Sequence, residues 1–122
     1  MILADTSIWI DHLRSGNPAM VNLLAQGQIL MHPFIVAELS LGSLRDRQTT
    51  LRTLESLLHT NVAHLTEVRH MIEAHALYSR GIGLTDAHLI ASCLITPGTR
   101  LWTRDAAMKK VAAALGILVD RP

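Results

Sequence analysis

A three-layer α/β/α sandwich, built on a small and mainly parallel sheet of four or five strands, is the fold this sequence predicts. Short apolar runs alternate with longer stretches whose apolar residues recur at helical spacing, the pattern of strands joined by crossover helices. Helices dominate by residue count, as in a sheet covered on both faces. At 122 residues and 49% apolar content, the chain has material for one well-filled core, so residues 1–122 are expected to form a single domain.

The first strand is Met1 to Ala4, a short apolar run that ends at Asp5. Thr6 and Ser7 follow as helix N-caps ahead of Ile8 to Leu13. After the turn Ser15-Gly16-Asn17-Pro18, Ala19 to Ala25 repeats apolar residues at helical spacing, and Gln26-Gly27-Gln28 closes that second helix. Ile29 to Met31 is a strand, broken by His32-Pro33, and the helix Phe34 to Leu41 stops at Gly42. Leu51, Leu54 and Leu58 give helical spacing within Leu44 to Leu58, before a brief strand at Val62 to Leu65. Thr66 and Glu67 cap a helix running to about Arg80, and Gly81-Ile82-Gly83 is a flexible joint. Leu84-Thr85-Asp86 opens an apolar helix to Ile95, stopped by Pro97-Gly98. Leu101-Trp102 is a strand, Ala106 to Leu115 a helix, and Ile117 to Val119 the last strand. No internal repeat or low-complexity segment interrupts this order.

Several classes of protein are excluded at once. No apolar run approaches the roughly 20 residues that span a bilayer. Asp5 and Asp11 interrupt the first hydrophobic stretch where a secretory signal continues uncharged, so the cytoplasm is the expected compartment. The lone Cys93 lies in an apolar helical pattern and reads as a small core residue. The seven histidines contain no i, i+4 pair and no HExxH, which argues against a zinc site. The histidines read as ordinary residues, substrate contact being an alternative only for His32 and His88, which lie close to acidic positions, and Trp9 and Trp102 read as core or subunit-contact residues. The net charge of +1 gives no global attraction to a polyanion. Basic residues gather in two stretches, Arg45, Arg47 and Arg52, then Arg100, Arg104, Lys109 and Lys110, which fit a phosphate-binding rim and solvated helix faces equally well.

Four of the ten carboxylates stand where solvation is a poor explanation. Asp5 ends an apolar strand at the start of a helix, whose dipole favours negative charge, although a plain capping role also fits. Glu38 lies between Phe34 and Leu41 on what reads as a core-facing stripe, with only His32 as a basic neighbour in its local sequence. Asp86 and Asp105 each open a helix, and capping alone explains either one taken singly. As a set the four demand more. Two unit charges ~4 Å apart repel by about 4 kcal/mol at an effective dielectric near 20. A divalent cation relieves that repulsion, and oxygen-only ligation selects Mg²⁺ or Mn²⁺.

The residues Leu3-Ala4-Asp5-Thr6-Ser7, Ala37-Glu38-Leu39 with Gly42, Leu84-Thr85-Asp86 with Ile90-Ala91, and Thr103-Arg104-Asp105, in that order, resemble the PIN-domain nucleases and in particular the VapC toxins of toxin–antitoxin pairs. The resemblance covers nearly the whole chain and implies a Mg²⁺- or Mn²⁺-dependent endoribonuclease acting on transfer or ribosomal RNA. It further implies a homodimer and a cognate antitoxin. Asp5, Glu38, Asp86 and Asp105 match the family's acidic positions, and Thr6, Ser7 and Thr103 its supporting hydroxyls. Asp5 and Asp86 are expected to ligate the principal ion, with Glu38 and Asp105 on a second ion or the attacking water. Arg45 and Arg104 are the expected phosphate contacts. Met108 departs from the aromatic residue common three places after the fourth acid.

Two other readings compete. An aspartate ending the first strand is also the phosphate acceptor of haloacid dehalogenase-like phosphatases and receiver domains. Ser7 stands where the phosphatases carry a second aspartate, and the late lysine of receivers is absent. A PIN-like fold kept as an inactive binding module is the third reading, against which the intact acids argue.

Overall fold

The structure is a computed structural model, and it describes residues 1–120. Three strands form one parallel sheet in the order β2-β1-β3, namely β1 (Ile2–Ala4), β2 (Ile29–Leu30) and β3 (Arg100–Trp102). A single parallel bridge widens each edge, Met31 with His59 outside β2 and Leu101 with Leu118 outside β3. The four or five strands expected thus resolve into three strands and two bridges.

Successive residues of a strand face opposite sides of a sheet, yet both members of Leu3-Ala4, Ile29-Leu30 and Leu101-Trp102 are buried. Both faces of the sheet are therefore covered, which is why these strands read as continuous apolar runs. The covering helices are α1 (Thr6–Ser15), α2 (Pro18–Ala25), α3 (Pro33–Ser40), α4 (Arg47–Ser56), α5 (Leu65–Ala74), α6 (Leu84–Leu94) and α7 (Ala106–Ala114). Ala87 to Cys93 of α6 are all buried, so this helix lies inside the molecule, as its nearly unbroken apolar sequence requires. Cys93 is part of that core, and burial pushes its thiol up to about 12. Met108, at 0% exposure, fills the position where an aromatic residue was expected, and Trp9 and Trp102 are core residues.

Three local expectations need correction. The N-cap of α1 is Asp5, which accepts from the Ile8 N–H, rather than Thr6 or Ser7. Val62 to Leu65 is no strand, because Leu65 already begins α5 under a box in which Glu67 accepts from the His64 N–H at 2.8 Å. That helix ends at Ala74, where Ala76 turns to a φ of 52°, instead of continuing to Arg80. The last apolar run, Ile117 to Val119, makes only the one bridge from Leu118.

Candidate active site

Parallel strands present their carboxyl ends on one edge of a sheet, and there β1 and β3 deliver Asp5 and Asp105 side by side. The Asp5 N–H donates to the Trp102 carbonyl at 2.9 Å, tying the two strand ends together. β2 leaves β1 on one side and β3 lies on the other, so the chain connections diverge here, the place where open α/β sheets form their clefts.

Three helices then aim their N-termini at this edge. Asp5 caps α1, Asp105 caps α7 by accepting from the Met108 N–H at 2.8 Å, and Asp86 sits in the first turn of α6, accepting from the Gly83 N–H at 3.4 Å. Each helix dipole offsets part of the cost of its carboxylate. Glu38 has no such help, since it lies near the C-terminal end of α3. Its side chain accepts instead from Thr6 Oγ1 at 2.7 Å. The four acids line one cavity of about 180 Å³ together with Thr6, Ser7 and Leu89.

Each of the three hydroxyls hydrogen-bonds an acid, Thr6 to Glu38 and both Ser7 and Thr103 to Asp5. Ser7 Oγ donates to Asp5 Oδ1 at 2.6 Å, and the Ile8 N–H reaches the same oxygen at 3.3 Å. Buried Thr103 donates its hydroxyl to Asp5 Oδ2 while accepting from the Asp105 N–H, and so holds one acid to the backbone of another. These contacts take three of the four lone-pair sites of the Asp5 carboxylate, leaving one on Oδ2.

The placement of Glu38 corrects the sequence reading. The core face of α3 is Ile35 and Leu39, whereas Leu41 is 88% exposed and Glu38 is itself exposed at the cavity rim. Asp105 is exposed, Asp86 half-buried and Asp5 buried, so the acids descend from rim to floor. Burial holds the Asp86 carboxyl above the usual carboxylate range; the Gly83 hydrogen bond opposes this, and the charges of Asp105, Asp5 and Glu38 reinforce it.

Neither His32 nor His88 lines the acidic cavity. His32 is wholly buried, its Nε2 3.0 Å from Ser92 Oγ and its Nδ1 accepting from the Phe34 N–H. Burial, followed by the His88 and His59 charges, pushes it down to about 4, so it is neutral at pH 7. His88 is buried against the Phe34 ring. Arg104 pairs with Asp11 at 2.9 Å, clamping the loop after β3 to α1. Arg45 lines a groove of about 540 Å³ that shares Glu38 with the acidic cavity and also contains Arg14. Sequence reading missed Asp11, Arg14 and Leu89. Only Leu89 had a local signal, being one helical turn from Asp86.

The donor set is oxygen only and anionic, which fits a hard divalent cation. Among the described residues no three acidic, histidine or cysteine side chains already stand close enough together to hold an ion. A site using one or two carboxylates at a time, with water completing the shell, is the ligation that Mg²⁺ favours.

An α/β domain with carboxylates gathered at the carboxyl edge of a parallel sheet is the class of protein these observations define. The PIN domain family model matches residues 2–114. Two curated relatives, both called Ribonuclease VapC32, from the CDC 1551 / Oshkosh and ATCC 25618 / H37Rv strains of Mycobacterium tuberculosis, are each 39% identical over 117 residues, covering 96% of this chain and 94% of theirs. No solved structure gives a significant match. The chain belongs to the PIN-domain family.

Proposed function

We propose that this chain, acting as one domain, is a Mg²⁺- or Mn²⁺-dependent endoribonuclease and the toxin of a toxin–antitoxin pair, cutting transfer or ribosomal RNA. The observation that carries the reading is the convergence of Asp5, Glu38, Asp86 and Asp105 on one cavity, each carboxylate held by a hydroxyl or a helix N-terminus. The relatives named above are ribonucleases by name, which supports RNA as the substrate. A divalent cation in this cavity supplies charge neutralisation and an activated water for in-line displacement at phosphorus.

Asp5 and Asp86 would hold the cation, Asp5 having one Oδ2 lone pair free of hydrogen bonds. Glu38 and Asp105, at the accessible rim, orient the attacking water and take its proton. Thr6, Ser7 and Thr103 fix the carboxylates so that little reorganisation accompanies the reaction. Arg45 lies on the groove beside Glu38 and holds a substrate phosphate, and Arg104, next to Asp105 in the chain and paired with Asp11, is a second phosphate contact. The active form is a cytoplasmic homodimer restrained by its antitoxin; no described helix is long and apolar enough to cross a membrane.

A phosphoaspartate mechanism is less well supported. Neither Lys109 nor Lys110 lines the cavity to balance a phosphoryl group on Asp5. The test is RNA cleavage by purified protein free of antitoxin, with Mn²⁺ or Mg²⁺, beside Asp5→Asn, Glu38→Gln, Asp86→Asn and Asp105→Asn. Cleavage that chelator abolishes and each variant impairs is the expected result. Equal cleavage by all five proteins overturns the reading, and no cleavage of any RNA favours an inactive binding module.

A further inference from the structure

The segment joining α5 to α6, residues 75–83, runs beside the acidic cavity. Gly81 lies against Ala107, two residues beyond Asp105, and the Gly83 N–H is held by Asp86. The backbone between is unusual: Ala76, Ser79 and Gly81 have φ of 52°, 58° and 80°. For alanine and serine this left-handed conformation is unfavourable and persists only where the surroundings impose it. Here they do, because Leu77 is buried in the core and its N–H donates to the Ile72 carbonyl at 2.9 Å.

Pinning Leu77 inward turns its neighbour outward, and Tyr78 is 60% exposed. The chain has two tryptophans, one phenylalanine and one tyrosine. Both tryptophans are core residues and Phe34 is half-buried against His88, so Tyr78 is the one exposed residue among the phenylalanine, tyrosine and tryptophans. Two residues on, Arg80 is exposed and has no ion-pair or hydrogen-bond partner among the described residues. Tyr78 is three residues from Gly81, a span of at most about 11 Å even if fully extended. Tyr78 and Arg80 thus stand three residues and one residue before Gly81, on the stretch that leads to the border of the cavity.

Unpaired RNA is recognised by stacking bases on aromatic rings and neutralising the adjoining phosphates, and a rigid platform loses little entropy in doing so. We propose that Tyr78 and Arg80 seat a nucleotide beside the scissile bond, Tyr78 stacking its base and Arg80 holding its phosphate. This rests on the nuclease reading above.

The test compares wild type with Tyr78→Ala, Tyr78→Phe and Arg80→Ala on a fluorescent single-stranded oligoribonucleotide with Mn²⁺. Tyr78→Ala is expected to raise KM about 5- to 100-fold with kcat within about twofold of wild type. Tyr78→Phe keeps the ring and the wild-type KM. Arg80→Ala raises KM and flattens its dependence on log salt by about 0.7. Absence of cleavage by wild type sinks the nuclease reading and this proposal together. Cleavage with an unchanged KM in Tyr78→Ala, or a Tyr78→Phe variant as defective as Tyr78→Ala, overturns this proposal alone.

Discussion

Asp86 is held above the ordinary carboxylate range mainly by burial, with the three neighbouring acids adding to the shift, so its ionised form at neutral pH opposes folding. A carboxyl whose folded-state value is raised binds its proton more tightly when folded, and its stabilising contribution is present at low pH and lost as pH rises through that value. Asp86→Asn, which keeps an oxygen for the Gly83 N–H, is therefore expected to melt above wild type at pH 7 without divalent cation. The gap should narrow on acidification, while activity falls more than about 100-fold. A melting temperature below wild type across the pH range contradicts this. Thr103 makes a complementary case. Removing its buried hydroxyl in Thr103→Val leaves Asp5 and the Asp105 N–H each short of a partner, a cost of about 1–3 kcal/mol in denaturant unfolding. At this scale the acids were legible because a carboxylate beside apolar sequence needs a reason. The burial of Glu38 was misjudged because flanking residues do not reveal which side of a short helix faces the core, and here Leu41 is solvent-exposed.

Between elements, the His32 and Ser92 pair joins the start of α3 to buried α6, and Ser92 Oγ also accepts from the Ala63 N–H at 3.2 Å. His32 is depressed to about 4, so the unfolded chain takes up a proton that the folded chain refuses between about 6.5 and 4. Stability from this junction is present above pH 6.5 and lost as pH falls through that window. Thermal melts of wild type are expected to decline across it, and those of His32→Asn, which retains an acceptor for the Phe34 N–H, to decline less. Parallel declines in the two proteins contradict this role. Long elements with periodic apolar residues, such as α6 and α7, were readable because their pattern repeats over several turns. Val62 to Leu65 and Ile117 to Val119 were not, since a run of three or four apolar residues fits a strand, a bridge or a helix start, and tertiary packing decides. The early end of α5 follows from Leu77 entering the core, a long-range effect with no local signal.

Over the whole molecule, positions 5, 86 and 105 meet because β1 and β3 are parallel neighbours and α1, α6 and α7 bring their first turns to one cavity, which Glu38 joins from near the end of α3. That architecture was anticipated by strands alternating with helices, and it makes the acidic set a property of the topology rather than of any one motif. The clamp between Arg104 and Asp11, 93 residues apart, is the kind of contact no linear pattern announces. A cation shared by these carboxylates is tested most directly by titration calorimetry with MnCl₂. Wild type is expected to take up Mn²⁺, with affinity weakened more than about tenfold in Asp5→Asn and in Asp86→Asn. Absence of binding to wild type, or equal binding to all three proteins, would contradict it.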